Sequence, residues 1–379
     1  MTGDQIVVPS YGRATLGEVL PAIASHLGAD DADAADVLGL PDTHRYVLCL
    51  VDGLGADLLA AHADVAPHLA AALDRSPQLV AGVPSTTATS LTTLATGVAP
   101  GRHGIVGYTF RWAPRRVIAP LSWHGGPRDA AGFQAIPPWW QRLTALGVSV
   151  CTVGPAELMG TQLTTAMLRG ARYIPVEDET DASLRIAQVA QAARAGSSSL
   201  VYAYERGLDR AGHRAGVASQ RWRDTLRFVD GLIHGLRTRL DPEVTLVVTG
   251  DHGMVDVPTQ HRLWCEDEPR LMRDVELVAG EGRFRHVYTD RPHQVAQTWA
   301  QQLGERAKVF LGEQAIADGW FGEVAPAMRA RIGDVLAVAQ GDWALLSHQL
   351  PDEAKLVGMH AGMTHAEMVV PLLVFPGQE

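Results

Sequence analysis

The chain has 379 residues, 46% of them hydrophobic, with 32 Lys+Arg against 42 Asp+Glu for a net charge of −10. This composition excludes a disordered or fibrous protein and supplies enough apolar material for one large core. It also excludes a general electrostatic attraction to nucleic acid or anionic lipid, so an anionic substrate needs a local positive centre, which bound metal would provide.

Short apolar runs rich in β-branched residues predict strands at Tyr46–Val51, Gln78–Val83, Val148–Val153, Ser199–Tyr204, Val244–Thr249 and Val369–Phe375. Helices are predicted between them at Asp57–Leu73, Thr86–Thr96, Pro138–Leu146, Ala182–Ala195 and Val217–Leu240. This alternation is that of an α/β sandwich around a mostly parallel sheet. Two segments interrupt it. Residues 107–137, rich in Trp and Pro, are expected to form a cap. Residues 255–343, with β-like pieces at Val275–Val278, Arg285–Thr289 and Val335–Ala339 and two short helices, are expected to form an inserted α+β segment. With no internal repeat, residues 1–379 read as one domain with elaborations.

Cys49, Cys151 and Cys265 have no metal-type spacing, and their odd number argues against a disulfide framework. Met1 to Ser10 shows no basic stretch followed by a continuous apolar run, which predicts no signal peptide. No run of about 18 apolar residues occurs either, so the expected location is cytoplasmic, away from membranes. Oligomeric state is not legible.

The chemistry concentrates at strand ends. The run Tyr46 to Val51 ends in Asp52-Gly53, which puts a carboxylate at the carboxyl edge of the sheet, where open α/β sheets bind ligands. An Asp there can equally cap the next helix. A second strand ends in Gly250-Asp251-His252-Gly253, and adjacent Asp and His side chains can both reach one cation in a turn. After a third strand, Asp209 and His213 are four apart, so on one helical turn they point the same way. Near the C-terminus, His360 and His365 compete for a further ligand role. His360 is preferred because it lies in the glycine-containing stretch Gly358-Met-His-Ala-Gly362, which reads as a tight loop.

The nucleophile candidate lies in Val83-Pro-Ser-Thr-Thr87-Ala-Thr-Ser90. Helical spacing of Ala88, Leu91 and Ala95 puts Thr87 at a helix N-terminus, where backbone N–H groups and the dipole attract a phosphoryl group. Ser90, three residues on, is expected to share that face. A neutral hydroxyl is a weak nucleophile, and a bound metal favours its alkoxide.

Taken together, these residues resemble the alkaline phosphatase superfamily, and within it the nucleotide pyrophosphatase/phosphodiesterase (type I phosphodiesterase) family. The motifs run in the expected order from Asp52 to His360. The resemblance implies a three-layer sandwich. It also implies that Asp52, Thr87, Asp251 and His252 surround one metal while Asp209, His213 and His360 hold a second. The ions would be zinc, with manganese or iron also accepted by mixed N/O donors. Thr87 would attack phosphorus to give a phosphothreonine that water then hydrolyses.

This chain departs from the family pattern in a few places. It carries Ser90 where better-known members have asparagine, and Ala361 where a glycine usually follows the last histidine. Arg102-His103-Gly-Ile also resembles a family motif, and His103 is assigned a structural role. No arginine of the phosphomonoesterase type stands beside Thr87, which favours diesters or pyrophosphates.

The expected substrate is thus a small phosphoester or nucleotide, not a nucleic acid polymer. Tyr108, Phe110, Trp112, Trp123, Trp139 and Trp140 are candidates to stack on a base, though packing of the cap explains most of them. A phosphonate hydrolase similar to phosphonoacetate hydrolases would use the same site, and a non-catalytic metal-binding scaffold would retain it without turnover. A sulfatase is disfavoured because no cysteine stands near Thr87, and a phosphoglycerate mutase-like isomerase because such enzymes use serine and a large second domain.

Overall fold

The structure is a computed structural model that describes residues 6–377 apart from Asp31 and Asp74, so the leader reading of Met1–Ser10 lies in part outside the described residues. Seven strands build the central sheet: β1 (Arg45–Val51), β2 (Gln78–Val80), β3 (Ser149–Pro155), β4 (Arg172–Val176), β5 (Ser199–Glu205), β6 (Thr245–Thr249) and β7 (Val369–Phe375), in the order β2-β7-β6-β1-β5-β3-β4. All neighbouring pairs from β6 to β4 are parallel, and β7 runs antiparallel to both β6 and β2.

The continuous apolar character of the strands reflects burial on both faces. In β1, Tyr46, Leu48 and Leu50 enter one apolar cluster, with the helices Val19–His26, Thr87–Thr96 and Trp139–Ala145. The alternating Val47, Cys49 and Val51 enter the other, with Ala182–Ala193 and Gln220–Arg239. The result is the expected three-layer α/β sandwich with a mostly parallel sheet. All three cysteines are buried and unpaired. Among the described residues no helix is long and apolar enough to cross a membrane.

Several local expectations are corrected. The helix expected over Asp57–Leu73 is two helices, Ala56–Ala61 and Pro67–Leu73, because Pro67 starts a new one. Strand β2 stops at Val80, short of Val83, and the edge strand β4 was not anticipated. The segment from residue 255 to 343 forms an antiparallel sheet in the order Leu277–Glu281, Phe284–Tyr288, Val335–Ala339, Ala307–Leu311, with a separate apolar cluster and a 12-residue helix, Pro292–Leu303.

Candidate metal centre and nucleophile

The parallel strands deliver their carboxyl ends to one edge. Asp52 follows β1, and Asp251 and His252 follow β6. The helix Gly207–Ala215 begins just beyond β5 and carries Asp209 and His213. Antiparallel β7 reaches the same edge with its amino end, so the loop preceding it brings His360 there.

Two groups result: Asp52, Asp251 and His252, and Asp209, His213 and His360, each offering ligand atoms within 4.8 Å of one another. In the first, His252 Nε2 is 3.4 Å from Asp52 Oδ1 and 3.5 Å from Asp251 Oδ2. In the second, Asp209 Oδ1 is 3.2 Å from His213 Nε2 and 3.9 Å from His360 Nε2. Bonds of ~2.0–2.1 Å to a tetrahedral zinc put its ligands roughly 3.4 Å apart, so both groups have the right span. The groups adjoin, since the His252 and His360 rings stack with centroids 3.6 Å apart.

Thr87 is the first residue of the helix Thr87–Thr96, after Thr86 in extended conformation, and its Oγ1 lies 3.1 Å from His252 Nε2. The first N–H groups of that helix have no intrahelical partner.

The donor chemistry fits divalent cations. Asp52 Oδ1, Asp209 Oδ1 and Asp251 Oδ2 are buried without a hydrogen-bond partner, a costly arrangement that a cation relieves. Burial raises the Asp52 carboxyl well above its usual range, and the charges of Asp251 and Asp209 raise it further. Burial likewise raises Asp251. His360 is pushed well below its ordinary value, first by burial and then by His252 and His213, which keeps it a neutral ligand.

All three imidazoles donate Nδ1–H to main-chain carbonyls, His213 to Gly358 at 2.8 Å, His252 to Gly253 at 2.9 Å and His360 to Ser85 at 3.0 Å. Because a carbonyl only accepts, this fixes the tautomer and turns each Nε2 lone pair toward the cluster.

The structure thus brings together Asp52, Thr87, Asp209, His213, Asp251, His252 and His360. Ser90 does not reach the cavity wall. It is fully buried and its Oγ has no partner, whereas Leu91 contributes to that wall. Spacing of three and spacing of four both keep a residue near the face of Thr87, and the helix is rotated so that the i+4 position faces the cleft. His365 points elsewhere, half exposed and 2.8 Å from Asp57. His103 is structural, with Nε2 2.9 Å from Thr93 Oγ1 and Nδ1 accepting from Ile105 N–H. Burial lowers its pKa to about 3. Of the aromatic candidates only Tyr108 lines the cavity. Phe110, Trp139 and Trp140 are buried, and Trp112 and Trp123 meet Phe133 edge-on.

Sequence reasoning missed the supporting partners. Tyr204 donates its hydroxyl to Asp52 Oδ2. Fully buried Glu367 receives Arg283 in bidentate fashion at 2.9 and 2.8 Å, together with Gly362 N–H at 2.9 Å and the Thr364 hydroxyl at 2.7 Å. Burial pushes the Glu367 carboxyl up, but the Arg283 guanidinium and these donors hold it below its usual range. An inserted-sheet residue thereby ties down the loop that presents His360. Within that loop Ala361 adopts φ +86, the left-handed region natural to glycine.

A comparison with curated protein sequences finds no match. Among solved structures, human ectonucleotide pyrophosphatase/phosphodiesterase 5 superposes with a TM-score of 0.67 at 20% identity, over 88% of each chain. An inactive variant of the murine protein, in complex with AMP, gives 0.67 at 18% identity over 87% of each chain. At these identities the likeness establishes the fold. The family profile of type I phosphodiesterase/nucleotide pyrophosphatase matches residues 46–363, spanning every residue of the two clusters and Thr87. The chain therefore belongs to the type I phosphodiesterase/nucleotide pyrophosphatase family of hydrolases.

Proposed function

We propose that this protein is a two-metal phosphodiesterase or nucleotide pyrophosphatase in which Thr87 is the nucleophile. The observation that carries the reading is the pair of adjoining carboxylate–histidine clusters, each with the span of a metal pocket and with unpartnered carboxylate oxygens, beside one hydroxyl at a helix N-terminus. Asp52, Asp251 and His252 would hold the cation nearer Thr87, and Asp209, His213 and His360 the other. When bound, the cations favour the alkoxide of Thr87 and neutralise charge on the phosphoryl and leaving oxygens.

The chain's own residues do the rest. Thr87 Oγ gives its proton to solvent and forms a bond to phosphorus as the ester P–O bond opposite it breaks, and the alcohol or phosphate leaves with a proton from solvent. Free N–H groups at the start of the Thr87–Thr96 helix face the developing negative charge. Water then cleaves the phosphothreonine and restores the hydroxyl. That the inactive murine relative forms a complex with AMP supports a nucleotide as one candidate product.

The test is release of p-nitrophenol from bis-p-nitrophenyl phosphate with zinc or manganese. Thr87→Ala should lower kcat about a thousandfold or more, since loss of a nucleophile can cost up to ~10⁶. Equal activity in both proteins rules Thr87 out. A protein that binds about two metals yet turns over no phosphoester would instead be a scaffold.

A further inference from the structure

The cavity of about 600 Å³ that holds Thr87 and the second metal group is also walled by Thr86, Tyr108, Glu281, Asp352 and Glu353. These come from distant parts of the chain. Thr86 precedes the nucleophile, Glu281 ends the strand Leu277–Glu281 of the inserted sheet, and Asp352 and Glu353 belong to the short 3₁₀ helix Pro351–Lys355. Thr86 is fully buried and Glu353 is 8% exposed, and Thr86 Oγ1, Glu281 Oε1 and Glu353 Oε1 have no hydrogen-bond partner. They are close neighbours: the Thr86 hydroxyl and the Glu353 carboxylate both act on the Glu281 carboxyl, and the charges of Glu281, Glu353 and Asp352 all reach the Tyr108 hydroxyl.

Positive charge to oppose them is scarce. Arg285 takes up Glu353 Oε2 and leaves Oε1. Asp352 meets Lys355 at 2.6 Å in a pair that is largely exposed. Arg206, the one lysine or arginine of the wall among the described residues, is held by Glu157 and Glu179. Burial pushes the Glu281 carboxyl well above its usual range, and the Glu353 charge adds to this against the Thr86 hydroxyl and Arg285. The corner therefore offers acceptor oxygens and negative charge to which no donor is committed.

We propose that this corner binds a protonated primary amine on the organic arm of the substrate, with Glu281 as the residue that selects it. The inference rests on Thr87 and the metal clusters marking the phosphoryl position. Thr86 adjoins the nucleophile, and consecutive Cα atoms stand only ~3.8 Å apart, so a short arm spans from phosphorus to the Glu281 carboxyl. An ammonium brings three N–H donors to as many acceptor oxygens and supplies the counter-charge that Glu281 lacks. A hydroxyl brings one donor and no charge, and a second phosphate would be repelled by the carboxylates.

The deciding experiment measures binding calorimetrically at neutral pH on zinc-loaded protein, pairing 2-aminoethyl and 4-aminobutyl phosphate with their 2-hydroxyethyl and 4-hydroxybutyl counterparts. A hydrogen bond between charged partners is worth about tenfold or more in affinity, so at least one amine should bind that much more tightly than its hydroxyl counterpart. Glu281→Gln keeps the size of the side chain and removes its charge, and should bring the amine and hydroxyl esters within about threefold of each other. Equal affinity of the amine and hydroxyl esters at both lengths, or a preference that survives Glu281→Gln, overturns the proposal. Inorganic phosphate probes the phosphoryl position by itself. Its failure to bind would defeat the catalytic assignment and this proposal with it, whereas its binding alongside indifferent amine and hydroxyl esters defeats this proposal alone.

Discussion

The two candidate cation pockets are built from the same residue types yet differ in enclosure. Asp251 and His252 are fully buried, Asp52 is nearly so, and all three stand at the ends of central strands. The other pocket keeps the His213 side chain 22% exposed and places Asp209, His213 and His360 in the cavity wall, on a short helix and a loop. One group thus reaches the cleft only through Asp52, while the other lines it with all three side chains. The lesson is a graded site, in which Thr87 sits against the more enclosed group and the cleft reaches that group through Asp52 but the other through all three of its side chains.

That contrast can be broken experimentally. Asp251→Asn should lower diesterase activity by well over ~100-fold, since losing even an outer partner of a ligand costs ~10–100-fold, and added zinc should not restore it. His213→Asn should instead recover in part at millimolar zinc, because its pocket opens to solvent. Activity against zinc concentration checks both, and identical rescue of the two variants would erase the distinction. A smaller effect is expected from Glu367→Gln, which weakens the hold on the His360 loop. Metal affinity of the open pocket should fall ~10–100-fold, and stability should fall by about 3 kcal/mol because Arg283 is left buried and unbalanced. Competition with a zinc indicator and a thermal melt read these two consequences separately.

Much of this architecture was legible in the chain. Asp52, Asp251 and Asp209 follow apolar runs that could only be buried strands, and strand order does not alter which edge their ends occupy. Strand β4 was not legible, because its Arg172-Tyr-Ile-Pro-Val is mostly half-buried and carries a proline, as an edge strand can. Ser90 was legible only in part, because spacing gives a shared face without saying that Leu91 and not Ser90 reaches the cavity wall. Tyr204 and Glu367 were invisible for another reason: their partners Asp52 and Arg283 lie 152 and 84 positions away, and no local pattern links them.

Two gentler substitutions sharpen the comparison. Tyr204→Phe removes a hydrogen bond to a carboxylate in the enclosed pocket, and should cost about tenfold in zinc affinity there with the open pocket unchanged. Sequential metal titration separates the two sites. Ala361→Gly should be the mildest change, raising stability by up to ~1 kcal/mol as the left-handed strain is released, a rise of a few degrees in Tm. A fall in Tm would show that the alanine methyl contributes more by packing than it costs.

The acceptors that orient the three imidazoles are peptide carbonyls, at Ser85, Gly253 and Gly358. Two of these positions leave no room for a side chain, since a Cβ at Gly253 would fall 1.9 Å from Ala366 O and one at Gly358 2.8 Å from Gly212 O, both main-chain atoms. Histidine basicity here is thus inherited from the path of the polypeptide. A library that randomises neighbouring side chains to change metal preference has no handle on the imidazoles, and redesign must act through the three aspartates.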